Sequence, residues 1–219
     1  MGGACVVGDS PAAQPAAAAA RPLIVDSGGA NLASLRFALE RLGAKARISG
    51  APEEIATASH VLLPGVGSAA AAMERLKERG LDSIVPTLRQ PVLGICLGMQ
   101  LLFEHSAEGD TPTLGIIAGS VRRIEPRAGR PVPHMGWNQL RSCTPDPLLD
   151  GLAIDSYMYF VHSFAAEVGP ATTGTVDYGG VLSAAVRKEN FWGVQFHPER
   201  SAAAGARVLA NFLALPSCS

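Results

Sequence analysis

The chain has 219 residues, 47% of them hydrophobic and 17% charged, which excludes a solvent-wrapped disordered chain and predicts one globular domain, or two at most. Eighteen Lys and Arg against nineteen Asp and Glu give a formal charge of −1, without the basic excess that phosphate-backbone neutralisation requires, so DNA and RNA are not expected partners. No apolar run approaches the roughly 20 residues that span a bilayer, and four scattered cysteines (Cys5, Cys96, Cys143, Cys218) suit neither a disulfide framework nor a paired zinc motif, which predicts a reducing, cytoplasmic compartment and no membrane.

Residues 1–21 read as a disordered Ala/Pro-rich tail, or as a start placed too far upstream, because they lack the basic start and leucine-type run of a secretion signal. From Pro22 the pattern changes to short apolar runs alternating with amphipathic stretches, and residues 22–219 read as one domain. Leu23 to Val25 predicts a strand, followed by a Gly28-Gly29 turn. Leu32, Leu35, Leu39 and Leu42 recur at helical spacing, and Gly43 is placed to end that helix. Further strands are expected at Ala46 to Ser49, Val61 to Leu63 and Val92 to Ile95, with a helix over Ser68 to Arg79 capped by Ser68 and stopped by Gly80.

This rhythm implies right-handed crossovers: an α/β fold with an open, mostly parallel twisted sheet and helices on both faces. After about Pro112 the runs become Gly/Pro-punctuated and β-type: Ser120 to Ile124, Met158 to Phe164, Thr173 to Val176, Leu182 to Val186 and Phe191 to Phe196. They predict antiparallel hairpins that extend or flank the first sheet. A last helix from about Ser201 to Leu213 would bury Val208, Leu209 and Phe212.

The segment Gly94-Ile95-Cys96-Leu97-Gly98-Met99-Gln100 runs an apolar strand into Cys96 and then into an expected amphipathic helix carrying Leu101, Leu102 and Phe103. Glycines two residues either side of a side chain on a strand-to-helix corner are the geometry of an exposed nucleophile, and the helix start favours a thiolate. A buried cysteine beside a tight turn fits the same letters. His197 ends the apolar run Gly193-Val194-Gln195-Phe196, and Pro198 stops the ladder there, so in a parallel sheet it would share the carboxyl-end crevice with Cys96. Glu199 could return to the far ring nitrogen, completing a Cys, His, Glu triad; the plain alternatives are a backbone-satisfied histidine and a solvated turn acid.

Pro64-Gly65-Val66-Gly67 follows an apolar run and could aim backbone N–H groups at an oxyanion, though a plain turn or a phosphate cradle also fits. His60 and His105 read as surface residues. His134 and His162, in the aromatic segments Pro133 to Asn138 and Tyr159 to Phe164, read as packed loops rather than metal ligands, because no further ligand recurs at metal spacing.

The frame of Gly94 to Gln100 with Phe196 to Glu199, and Pro64 to Gly67 as an oxyanion loop, resembles the class I (triad) glutamine amidotransferases. Pro133-His134-Met135-Gly136-Trp137-Asn138 followed by Tyr159-Phe160-Val161-His162-Ser163 narrows the resemblance to the glutaminase subunits of imidazole glycerol phosphate synthases, over about Pro22 to Leu215. That resemblance implies Cys96 as nucleophile, His197 as acid and base, and Glu199 as its orienting partner. It implies backbone amides near Val66 and Leu97 for the oxyanion, and Gly67, Gln100, Glu108, Ser163 and Phe164 around the glutamine. It implies no metal and no cofactor, and a separate (β/α)8 cyclase subunit that receives ammonia and forms a heterodimer with this chain. The chain departs from the frequent family pattern at Ser27, Ala30 and Phe164.

Overall fold

The computed structural model describes residues 20–26, 32–142, 144–153 and 155–217. The expected tail, apart from its last two residues, the Gly28-Gly29 turn with the departures at Ser27 and Ala30, and Cys5, Cys143 and Cys218 lie outside the described residues.

The front half alternates as predicted: β1 (Pro22–Val25), α1 (Leu32–Arg41), β2 (Arg47–Ser49), α2 (Pro52–Ala56), β3 (His60–Gly65), α3 (Ala69–Glu78), α4 (Leu81–Ile84) and β4 (Val92–Cys96). The second half begins with α5 (Leu97–Gln100), β5 (Phe103–Ser106), β6 (Thr111–Pro112), β7 (Ile117–Arg123) and β8 (His134–Gln139). It continues through β9 (Arg141–Ser142), β10 (Tyr157–His162), β11 (Phe164–Ala166), β12 (Thr172–Asp177), β13 (Val181–Lys188), β14 (Phe191–Val194) and α6 (Ala202–Ala214).

An eight-stranded sheet runs β2-β1-β3-β4-β14-β13-β12-β9. Its first five strands are parallel, and β13, β12 and β9 continue it antiparallel. Beside it lie the antiparallel pair β10-β8 and a four-stranded sheet β11-β7-β5-β6. The Phe191 to Phe196 run, expected among the hairpins, does both jobs: β14 is antiparallel to β13 and parallel to β4.

The central strands are apolar throughout because both faces are covered. Ile24, Leu62 and Leu93 point into a core closed by Leu35 and Leu39 of α1 and Val208, Leu209 and Phe212 of α6. Their neighbours Leu23, Val25, Val61, Leu63 and Val92 point the other way, against Ala72, Met73 and Leu76 of α3. The Ser68 hydroxyl accepts from the Ala71 amide at 3.4 Å to cap α3, and Gly43 and Gly80 adopt φ of +84° and +67° where α1 and α3 stop.

Two expectations are corrected. The helix after Cys96 ends at Gln100, and the chain enters β5 at Phe103. Leu101, Leu102 and Phe103 are all buried, and three consecutive apolar residues cannot share one face of an amphipathic helix. His60 is not a surface residue but 3% exposed. Its Nε2 donates to the Leu215 carbonyl at 3.0 Å, and its ring meets Phe212 edge-on at 5.3 Å. Burial pushes its pKa down, against the opposing pull of the Leu215 bond. His105 lies on β5, where it pairs with Asp110 at 2.9 Å. Among the described residues no helix is long and apolar enough to cross a membrane.

Truncating Phe212, which is fully buried between α6 and the sheet, is expected to cost about 3–5 kcal/mol of unfolding free energy in a denaturant titration of Phe212→Ala. Phe37→Ala, at 49% exposure on α1, should change it by less than about 0.5 kcal/mol.

Candidate active site

Cys96 is the last residue of β4, with backbone φ 54° and ψ −111°. For an L-residue this conformation costs about 1–3 kcal/mol and persists only where surrounding structure imposes it. Here the imposition comes from close backbone contact. A Cβ on Gly98 would sit 1.7 Å from the Leu63 carbonyl oxygen, and one on Gly94 would sit 2.6 Å from the Gly98 carbonyl oxygen. Gly98 is therefore required for the corner to pack against β3, and Gly94 for the turn after Cys96 to fold back over its own strand. The helix that follows is a single turn, so its dipole at Cys96 is smaller than the longer helix expected from the sequence would supply.

β14 lies beside β4 in parallel register, Val194 opposite Ile95, so the chain beyond it delivers His197 to the same end of the sheet as Cys96. His197 Nδ1 and Glu199 Oε1 are 2.9 Å apart, with the two side chains 13% and 5% exposed. Burial alone would push the His197 pKa down. The nearby Cys96 sulfur and the Glu199 carboxylate outweigh it and raise the ring to about 10. The other ring nitrogen, Nε2, is buried and has no hydrogen-bond partner at normal distance, and the second Glu199 oxygen is likewise unpaired.

A cleft of about 290 Å³ opens at Cys96, lined by Gly67, Leu97, Gln100, Glu108, Pro133, Val161, His162, Ser163 and Phe164 as well. The structure thus gathers Cys96, Leu97, Gly67, Gln100, Glu108, Ser163 and Phe164 around one space. Val66, His197 and Glu199 are outside that lining. Val66 is half-buried, and its carbonyl accepts from Arg75 Nη2 at 3.1 Å. Glu108 places one carboxylate oxygen 2.8 Å from the Ala69 amide at the start of α3. A larger cleft of about 440 Å³ lies around Asp146 and Leu149, but the Asp146 carboxylate is consumed by Leu148, Trp192 and Arg187.

No motif in the sequence points to Gln195, yet it is fully buried beside the sulfur. Its Nε2 lies 3.7 Å from Cys96 Sγ and its Oε1 accepts from Gln100 Nε2 at 2.9 Å. The Val161 carbonyl lies 3.8 Å from the same sulfur. The available signal is a lone amide inside an apolar strand, a residue that must find a partner when buried. His134 and His162, expected in packed loops, instead face each other across the β8–β10 ladder with ring nitrogens 2.9 Å apart. Burial foremost pushes them down to about 3 and about 4, so both are neutral at physiological pH. Among the described residues no three His, Cys, Asp or Glu side chains gather as a metal site.

Residues 23–215 match the family described as glutamine amidotransferase class-I. The chain is 51% identical over 190 residues to imidazole glycerol phosphate synthase subunit HisH of Xanthomonas campestris, covering 87% of this chain and 95% of that one. It is 50% identical over 191 residues to the HisH subunit of Mannheimia succiniciproducens, covering 87% and 98% of the two chains. Among solved structures, a putative GMP synthase subunit from Thermoplasma acidophilum superposes with a TM-score of 0.69 at 17% identity, over 89% of this chain and 92% of that one. A second structure, described as a glutamine amidotransferase, superposes with a TM-score of 0.68 at 20% identity, over 87% and 96%. At those identities the structural likeness speaks for the fold, and the sequence matches decide the family: the chain belongs to the class-I glutamine amidotransferases, alongside the HisH subunits.

Proposed function

We propose that this chain is the glutaminase subunit of a cytoplasmic imidazole glycerol phosphate synthase. It hydrolyses glutamine and hands ammonia to a separate (β/α)8 cyclase, which makes imidazole glycerol phosphate and aminoimidazole carboxamide ribonucleotide in histidine biosynthesis. The observation that carries the reading is Cys96 at the cleft, with the bonded His197–Glu199 pair brought to the same end of the sheet by β14, in a chain half identical to HisH subunits. Residues 22–219 act as one amidotransferase domain.

In the proposed reaction the Cys96 sulfur attacks the side-chain carbonyl carbon of glutamine, and the carbonyl electrons move onto oxygen. Backbone amides near Val66 and Leu97 hold that oxyanion. As the carbon–nitrogen bond breaks, His197 gives its proton to the departing nitrogen and ammonia leaves a γ-glutamyl thioester. The neutral ring then takes a proton from water, which attacks the thioester, and the carbon–sulfur bond breaks to release glutamate. Gly67, Gln100, Glu108, Ser163 and Phe164 surround the substrate, Glu108 supplying the anionic group of the cleft for the α-ammonium.

The raised pKa of His197 gives this sequence its timing. While the sulfur is free, Cys96 and Glu199 hold the proton on the ring, up to about 10. Once the sulfur has bonded to the substrate carbon in the tetrahedral adduct, the contribution from Cys96 disappears and the proton becomes transferable to the leaving nitrogen before the thioester forms. The linkage sign follows from the same shift: a folded-state pKa above the unfolded 6.5 stabilises the fold fully below pH 6.5, and that contribution is lost as pH rises through about 10. In Cys96→Ala, glutamine hydrolysis should fall by about 10³-fold or more. In the same variant the His197 titration followed by NMR should move down by about one to two units. Retained hydrolysis would refute Cys96 as the nucleophile.

Support for the docked cyclase comes from the β8–β10 pair. Side chains alternate along this ladder, so Met135, Trp137 and Tyr157 face outward at 67%, 52% and 55% exposure while His134, Phe160 and His162 face in. The Arg200 guanidinium covers the Tyr159 ring at 4.4 Å beside them, and Val161 of the same strand lines the cleft. Such a group of aromatic and methionine side chains has the composition of an interface core. Trp137→Ala should weaken binding to the cyclase by about 30-fold or more in calorimetry, as hot-spot truncations do, with the melting temperature of the free chain little changed. Glutamate release should be slow from the chain alone and rise when the cyclase and its ligand are added; full activity of the isolated chain would overturn the coupling.

A further inference from the structure

We propose that Gln195 is a positioning residue for the nucleophile: its side-chain N–H donates to the Cys96 sulfur and holds it aimed into the cleft. The proposal rests on Cys96 being the nucleophile. It adds a residue outside the triad, and it explains why a fully buried amide sits at the end of an otherwise apolar strand.

The direction of the bond follows from one atom whose role is fixed. The Phe164 backbone carbonyl can only accept, and it accepts from Gln100 Nε2 at 2.8 Å. That places the amino group of Gln100 inward, where its second hydrogen goes to Gln195 Oε1 at 2.9 Å. With its oxygen so engaged, Gln195 must present Nε2 to the sulfur, 3.7 Å away. Turning either amide over would set two donors against each other between the glutamines, or two acceptors at Phe164. The sulfur therefore faces a donor by construction, and a donor favours the charged form of the thiol.

The anchor is held from a second side. His162 Nδ1 also donates to the Phe164 carbonyl, at 2.9 Å, which leaves His162 Nε2 as an acceptor. His134 Nδ1 donates to it at 2.9 Å, and His134 Nε2 in turn accepts from Asn138 Nδ2 at 3.2 Å. Asn138 is tied to the Asp177 carbonyl at 3.0 Å. Every tautomer in this chain is set, and both histidines must be neutral for it to exist, as burial makes them. The other ionisable side chains facing Cys96 are His197, backed by Glu199, and Glu108 across the cleft.

The test uses the full chain with Gln195→Met, which keeps the volume without the donor, and Gln195→Glu, which keeps the shape with the polarity reversed. Two quantities are read: glutamine kinetics with the cyclase present, and the pH dependence of iodoacetamide alkylation at Cys96, located by peptide mass spectrometry. For Gln195→Met we expect kcat about 10- to 100-fold lower with KM within about twofold, matching loss of a charge-assisted bond. Its alkylation midpoint should lie above that of the parent, because the donor that favours the charged sulfur is gone. For Gln195→Glu the deficit against the parent should be larger at neutral pH and narrow as pH falls, because a protonated carboxyl can donate again. If Gln195→Met fails to fold, the narrowing in Gln195→Glu decides alone. An unchanged alkylation midpoint with kcat within about twofold of the parent in a folded variant overturns the role of Gln195. Cys96→Ala separates the two levels: hydrolysis that survives it overturns the nucleophile itself, whereas hydrolysis that it abolishes leaves the Gln195 variants to decide the positioning role.

Discussion

Parallel pairing between β4 and β14 is the constraint on which the site depends. The register Gly193 to Gly94 and Val194 to Ile95 sets Cys96 and Gln195 side by side where the two strands end. His197 follows two residues later, and Pro198 opens a short 3-10 helix that turns Glu199 back to the ring. A slip of one residue would send every side chain to the opposite face and separate the sulfur from both partners. The register is pinned by packing. A Cβ on Gly193 would meet Met99 Cγ at 2.7 Å, so the strand has no room to be anything but glycine there. Next to it, Trp192 bonds the buried Asp146 carboxylate at 3.2 Å. β14 is also where the sheet changes direction, from parallel partners on one side to antiparallel on the other, and the crevice lies at that change.

The conformation of Cys96 is offset by the same contacts. A positive φ on a cysteine is unfavourable by itself, but the residues on either side of the corner are buried and close to β3, which leaves no relaxed alternative. Gly98 touches the Leu63 backbone, and Leu63 in turn packs with Met73 and Leu76 of α3 in the second core. The strain is thus supported by the hydrophobic layer beneath it rather than by the one-turn helix that follows.

What could be read from the sequence tracks how far each feature depends on local pattern. The strands around Leu23, Val61 and Val92 and the helices at Leu35 and Ala69 follow from apolar periodicity and from Ser68, Gly43 and Gly80 as stops, so they fall where expected. The helix beyond Cys96 does not, because the burial of Leu101, Leu102 and Phe103 is decided by the second sheet, a contact that no local window contains. His60 reads as a surface residue beside a polar Ser59 until the chain end returns to it, 155 residues later, with the Leu215 carbonyl. Gln195 is invisible for the same reason: its meaning lies in Gln100 and Cys96, almost 100 residues away in sequence and adjacent only once β14 has paired with β4. Short, repeated signals are legible, and so is a distant grouping such as Cys96 with His197 that a motif announces at each end, while a distant partner with no motif of its own, such as Gln195 or Leu215, is not.

The β8–β10 ladder joins the two halves of the site physically. Six residue pairs fix its register, with His134 opposite His162, Met135 opposite Val161 and Trp137 opposite Tyr159. Alternation divides the ladder into an outward face of exposed Met135 and Trp137 and an inward face that carries the neutral histidine pair. Val161 belongs to both: its neighbour across the ladder is on the exposed face, and its own carbonyl rests 3.8 Å from the Cys96 sulfur. His162, one residue on, holds the Phe164 carbonyl that orients Gln100. Met135 and Val161 are opposite one another in the ladder, so the exposed face and the wall against which the sulfur lies belong to the same two-stranded unit.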